Sequence, residues 1–379
     1  MSPPKKKSVE SLDDLFDSNV SEHRAIFPTG IAVLDPELGG GLREGTTIEA
    51  YGPPASGKTS VGYSTIGQIQ KLELGMSVLF DCEGSWNPDM GARLGIDVDH
   101  TMPDGNLSFR VSSHPDIKIV EELFDRIKQI LYGFPNVRFI MVDSLAALVP
   151  RALTTKKKDD QVTTTAMQRA NLLATYMNEL DRWIRETGSK TAVYFVNHEK
   201  EEIGFSGHGP AKTNTPGGLA GKYLASMRLE FRLATQDWVE VVDPVTGQKT
   251  RRKGKQYIRV TATKNRFYPP HRPSTFIFDL GKGIDSAYTA VLHAKAQKVF
   301  VVAGSWLTLP GEFTGGEPVK KQSVDLMATY LEENPDVLSR LEEHVGQNLR
   351  LSTEQVVPPE VVEPTMAGVT DITNIKTGD

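Results

Sequence analysis

TTIEAYGPPASGKTS, residues 46–60, sets a β-branched and aromatic run directly before a glycine-bracketed loop. Thr46–Tyr51 has the composition of a short buried strand. Gly52-Pro-Pro-Ala-Ser-Gly57-Lys58-Thr59 fits the pattern G-x-x-x-x-G-K-S/T at every fixed position. Ser60, Val61 and the residues to about Lys71 read as a helix. Strand, loop and helix together turn the pattern into a phosphate site. Glycines let backbone N–H groups turn inward, and the helix N-terminus adds positive potential. Lys58 supplies a full charge for the β- and γ-phosphates, and Thr59 offers its hydroxyl to Mg²⁺. The alternative is a Gly/Pro-rich turn that merely contains Lys and Thr.

The 379-residue chain has room for one large domain and one or two small appendages. Hydrophobic residues at 39% and charged residues at 24% describe an ordinary globular protein. No apolar run reaches about 18 residues, and the start MSPPKKKSVE lacks a signal-peptide core, so no membrane partner is expected. Cys82 alone cannot form an internal disulfide, which suits a reducing cytosol. A net charge of −5 argues against coating nucleic acid by bulk charge, but its distribution is uneven. Pro244–Phe278 holds nine Lys/Arg and no acid, whereas Leu331–Asp379 holds ten acids against three basic residues. A basic internal segment and an acidic tail point to a polyanion site that the tail can screen.

Beyond the loop the pattern alternates. Ser77–Asp81, Arg138–Asp143 and Thr191–Asn197 read as strands. Ile119, Val120, Leu123, Phe124, Ile127, Ile130 and Leu131 share one face of a helix, and a second helix is expected over about Ala166–Glu186. Strands separated by helices at this spacing predict a parallel, doubly covered α/β sheet. Arg228–Leu233, Trp238–Val242 and Gln256–Thr261 alternate as antiparallel strands, with a turn at Asp243–Gly247. Before the core, residues 1–30 read as an arm in which Ser11–Phe16 forms a turn too short to fold alone. After it come a small helical unit over about 283–346 and a Pro-bearing tail at 347–379.

Ligands gather beyond the C-terminal ends of such strands. Asp143 there reads as a Mg²⁺-side carboxylate or a helix cap. Glu83, two residues past a strand, either activates water or is simply solvated. His198 is either a surface histidine or, with Asn197, a hydrogen-bonding partner of the γ-phosphate.

The order PTGIAVLDPELGGGLREGTTIEAYGPPASGKTS, LFDCEGSWNPDMGARLGIDVD, FIMVDSLAALVPRA, NTPGGLAGKYLASMRLEFR and TKNRF resembles the RecA family of recombinases over about Phe27–Asn334. Asn197-His198, where bacterial RecA has Asn-Gln, resembles the phage UvsX-type branch, so a phage-encoded origin is expected. The resemblance implies a RecA-like phosphate-loop NTPase core at 31–282, an N-terminal polymerisation arm at 1–30, a small C-terminal α+β domain at 283–346 and an acidic tail at 347–379. It implies ATP and Mg²⁺ as cofactors, single- and double-stranded DNA as partners, helical filaments, single-strand-binding and loader proteins, and a bacterial cytosol, possibly of a phage-infected host.

Residue by residue, the resemblance puts Gly52, Pro53, Ser56, Gly57, Lys58, Thr59 and Ser60 in the phosphate loop. Glu83 matches the catalytic glutamate, Asp143 the magnesium-side aspartate and His198 the γ-phosphate sensor. Asn87 and Met90 join the nucleotide contacts, Met90 standing where bacterial relatives place an aromatic residue against adenine. Lys264 and Arg266 match a basic pair that reaches the ATP of the neighbouring subunit. The first DNA loop falls within Thr154–Arg169, with Lys156, Lys157, Lys158 and Arg169 as phosphate contacts. The second runs over about Glu199–Gly217, with Gly217 and Gly218 approaching DNA. A RecA-fold helicase and a nucleotide-gated non-catalytic scaffold are the competing readings.

Overall fold

The computed structural model describes residues 24–154, 162–201, 213–214, 224–242 and 249–354. The chain enters through two short paired strands, β1 (Ile26–Phe27) and β2 (Leu42–Arg43). Then β3 (Thr47–Gly52) leads through the glycine loop into α1 (Lys58–Lys71). Next come β4 (Met76–Asp81), α2 (Pro88–Arg93), β5 (Phe109–Ser112), α3 (Val120–Gly133) and β6 (Val137–Asp143). The short helix α4 (Arg151–Thr154), the long helix α5 (Val162–Thr187), β7 (Ala192–His198) and the short strands β8 (Lys200–Glu201) and β9 (Thr213–Asn214) follow. A long hairpin, β10 (Met227–Val242) and β11 (Lys249–Asn265), continues into β12 (Pro273–Asp279) and β13 (Gly283–Ile284).

Nine of these strands form one sheet in the order β13-β12-β11-β10-β3-β7-β6-β4-β5. From β10 to β5 neighbours are parallel; from β10 to β13 they are antiparallel. This is the expected doubly wound sheet with antiparallel strands added at one side. Strand alternation sorts the side chains into two cores. Ile48, Leu79, Phe139, Tyr194, Leu229 and Val260 pack with α1 and the C-terminal unit. Val78, Ile140, Phe195 and Val193 pack with the apolar stripes of α3 and α5. Burying both faces is why β4, β6 and β7 read as near-continuous apolar runs.

Four sequence expectations change. The three antiparallel runs are two long strands, because register irregularities between Leu233 and Thr235 and between Gln236 and Trp238 let β10 continue through Ala234–Asp237. The arm ends before residue 30: Phe27 is fully buried against the ring of Phe139. The C-terminal unit is not the helical unit its apolar pattern predicts but the α+β domain that the resemblance implies. It adds a three-stranded sheet of β14 (Val301–Ala303), β15 (Trp306–Leu309) and β16 (Val319–Lys321) to the helices Ser286–Ala296, Val324–Glu333 and Pro335–Glu354. That last helix crosses the tail boundary expected at 347, and Leu349 still packs on the core.

Candidate active site

The loop after β3 is shaped by its glycines. Gly52 has φ +150°, and a Cβ there would lie 2.2 Å from the carbonyl oxygen of Phe231 in the neighbouring β10. Gly57 has φ +89°, and its Cβ would meet the Ile258 side chain at 2.6 Å. Backbone therefore replaces side chain where the loop turns beneath α1. Ser56 closes it by donating to the Pro53 carbonyl at 2.8 Å. The Lys58 ammonium donates to the carbonyls of Pro53 at 2.6 Å and Gly52 at 3.1 Å. Burial pushes it down to about 8, against the pull of Asp143 and Glu83. Ser60 stands in the first turn of α1, half-buried.

Thr59 donates its hydroxyl to Asp143 Oδ2 at 2.7 Å. Burial pushes that carboxyl up to about 6, a shift the Thr59 bond opposes. A hydroxyl and a carboxylate beside a phosphate loop are hard oxygen donors. They fit Mg²⁺, which takes its other ligands from phosphate and water. Among the described residues no group of three or more His, Cys, Asp or Glu could hold a metal by itself.

Glu83 is held at the ends of three strands. Its Oε1 accepts the Ser144 hydroxyl just past β6 and lies 2.9 Å from His198 Nε2 at the end of β7. Asp81 fixes the turn that carries it, accepting from the backbone N–H groups of Gly84 and Ser85 at 2.9 Å and Trp86 at 3.0 Å. Trp86 in turn packs on Tyr63 and Phe109, each ring 5.2 Å away. Glu83, Asp143, Thr59, Lys58 and His198 thus converge beyond the carboxyl ends of β3, β4, β6 and β7.

Other expected residues fare differently. Asn87 spends its carbonyl oxygen capping α2, accepting from the N–H groups of Asp89 at 2.9 Å and Met90 at 3.2 Å. Only its amide nitrogen is left to meet a base. Met90 is half-buried against the core. Arg169 lies within α5, not in a loop, and donates to the Ala146 carbonyl at 3.2 Å. Lys264 is on β11, and Arg266 follows the strand, its N–H donating to the Ser226 carbonyl at 3.2 Å. Lys156, Lys157, Lys158, Gly217 and Gly218 lie outside the described residues.

Two ion pairs escaped the sequence reading. Arg232 clasps Glu199, whose N–H reaches the Gly52 carbonyl at 3.3 Å. Glu49 is buried in β3 and accepts from Arg228 Nε at 2.6 Å. A glutamate inside the buried strand TIEAY was the one visible signal, since a buried acid demands a partner.

A mostly parallel sheet, a glycine-bracketed loop opening a helix, paired Thr59 and Asp143, and a glutamate held at the strand ends are the architecture of the phosphate-loop α/β fold class. The family model for the RecA N-terminal domain matches residues 5–285. RecA of Thermus thermophilus is 32% identical over 317 residues, covering 83% of each chain. RecA of a Picosynechococcus strain is 30% identical over 335 residues, 87% of this chain and 84% of its own. RecA of Bacillus pumilus is 29% identical over 357 residues, 94% of this chain and 91% of its own. This chain belongs to the RecA family.

Proposed function

We propose that the protein is an ATP-dependent recombinase that polymerises on single-stranded DNA, hydrolyses ATP when DNA is bound, and pairs and exchanges homologous strands in repair. The observation that carries this reading is the Glu83–His198 contact. His198 is followed directly by Glu199 and β8, the root of the second expected DNA segment. DNA that moves this root moves the partner of the hydrolytic carboxylate.

In hydrolysis Glu83 takes the proton of the attacking water, and Ser144 and His198 orient the carboxylate. Loop N–H groups, the α1 N-terminus and Lys58 stabilise charge that builds on the phosphate oxygens. When bound at Thr59 and Asp143, Mg²⁺ supplies further charge neutralisation and orients the phosphates. Lys264 and Arg266 act on the ATP of the next subunit. Lys156, Lys157, Lys158, Arg169, Gly217 and Gly218 are assigned to DNA.

Assembly into a helical filament is supported by the edge strand β5. Beside it lies a groove of about 460 Å³ with an apolar floor that includes Val78, Phe80, Ile130 and Phe134 and with Arg110 and Arg126 among its polar lining. The leucine-bearing segment at 8–20 of another copy is the proposed occupant. The cytosol is the proposed location; among the described residues no helix is long and apolar enough to cross a membrane. Single-strand-binding and loader proteins are proposed partners, and a phage source is the proposed origin.

Electron micrographs of the protein with ATP and single-stranded DNA test this reading. Extended helical filaments are expected. Closed rings would mark a ring helicase, and no assembly at all a non-polymerising scaffold; either overturns it.

A further inference from the structure

On β11, Ile258, Val260 and Ala262 all belong to the core shared with α1. Strict alternation would send Lys264 into that same apolar layer. It does not go there. Arg228 pairs with Lys264, but Leu229 pairs with Ala262, so Thr263 is an extra residue with no partner in β10. Directly opposed residues share a face, and this bulge therefore turns Lys264 onto the side of Arg228.

That side carries a continuous polar chain. Glu49 Oε1 accepts from Asn197 Nδ2 at 2.8 Å, and Glu49 Oε2 accepts from Arg228 Nε at 2.6 Å. The Arg228 guanidinium lies 4.3 Å from the Tyr51 ring centroid. Tyr51 Oη is 3.0 Å from Thr263 Oγ1, which also donates to the Arg228 carbonyl at 3.3 Å. Glu49, Asn197 and Arg228 are buried, Glu49 at 1% exposure, so each link is strong in its low-dielectric setting and costly to leave unmade. Both Arg228 and Glu49 act electrostatically on Lys264.

We infer that Thr263, Tyr51, Arg228 and Glu49 form a bridge, buried except at half-buried Thr263, across β7, β3, β10 and β11 that positions Lys264 relative to Asn197, the neighbour of His198. They are positioning residues, not catalytic ones. The inference rests on the proposal that Lys264 serves the ATP of the next subunit. The bridge then ties the residue beside one subunit's γ-phosphate sensor to the charge it lends its neighbour.

The test uses full-length protein with Thr263→Val and Tyr51→Phe, which remove hydroxyls with little change of shape, alone and combined with Lys264→Ala. The readouts are DNA-stimulated ATPase, affinity for a fluorescent ATP analogue, and rescue by excess Lys58→Ala protein, which lends an intact Lys264 but cannot itself hydrolyse. Loss of one hydrogen bond predicts about a three- to tenfold drop in ATPase for Thr263→Val, with analogue affinity unchanged. Rescue is expected for Thr263→Val as for Lys264→Ala, and no further loss when the two are combined. Lys264→Ala that is fully active, or not rescued, overturns action in trans and the bridge with it. Lys264→Ala that is rescued, beside a Thr263→Val that is fully active, unrescued or additive, overturns the bridge alone.

Discussion

Nε2 of His198 lies 2.9 Å from Oε1 of Glu83, and that same oxygen accepts the hydroxyl of Ser144. One carboxylate oxygen is thus gripped from the ends of two other strands, β6 and β7. The grip fixes the carboxylate proposed as the general base and links it to the segment that follows β7.

His198→Ala keeps Glu83 and its Ser144 bond but cuts the link. Nucleotide affinity should stay within about threefold of wild type, while stimulation of hydrolysis by DNA falls at least about tenfold, the scale on which a positioned charged hydrogen bond acts. ATPase assays with and without single-stranded oligonucleotide check this.

Gly52→Ala sets a Cβ 2.2 Å from a backbone oxygen of β10 at φ +150°. Neither strand can yield, because β3 and β10 are hydrogen-bonded over Ile48–Tyr51. The variant should lose at least about 3 kcal/mol of stability and its nucleotide binding. Gly84→Ala is the control. Gly84 has φ +75° but no atom within 4 Å of an added Cβ, so only the conformational cost of about 1–2 kcal/mol remains. Urea unfolding of both variants measures the difference.

Asp35 and Glu342 line one cleft between the segment after β1 and the helix Pro335–Glu354, with Arg350 on the same cleft. Burial pushes each carboxyl up to about 7, while Arg350 pulls Asp35 and Lys71 pulls Glu342 the other way. A folded-state value above the unfolded one favours folding at low pH. Their stabilising effect is full below about pH 4 and is lost as pH rises through about 7. Asp35→Asn keeps an oxygen for the Thr29 N–H bond of 2.8 Å and removes one titration. It should melt like wild type near pH 4 and be more stable at pH 8 by about 1–3 kcal/mol. Thermal melts across pH 4–8 decide it.

The glycine loop, the parallel strands of the core and the placing of Glu83 and Asp143 at strand ends were legible because each rests on local pattern: strand, then polar residue at its end. What stayed hidden depends on register between distant strands. Nothing in TATKN marks Thr263 as a bulge; that is decided by the pairing of Arg228 with Lys264 across the hairpin. The continuity of β10 through Ala234–Asp237 is likewise settled by β11 opposite it. The resemblance put Asn87 among the nucleotide contacts and did not show that, with Pro88 at the first turn, it also caps α2. Ser144 could be read as the residue after Asp143, but not as the donor to Glu83, since that bond joins residues 61 apart in the chain.

The most direct test of a DNA-gated hydrolytic site is steady-state ATPase of wild type and Glu83→Gln, each with and without single-stranded DNA. Gln keeps an oxygen for Ser144 but cannot take a proton. The expected result is strong DNA stimulation in wild type and at least about a hundredfold loss in Glu83→Gln, with ATP and DNA still bound. A Glu83→Gln protein hydrolysing within twofold of wild type, or a wild-type rate indifferent to DNA, would contradict the account.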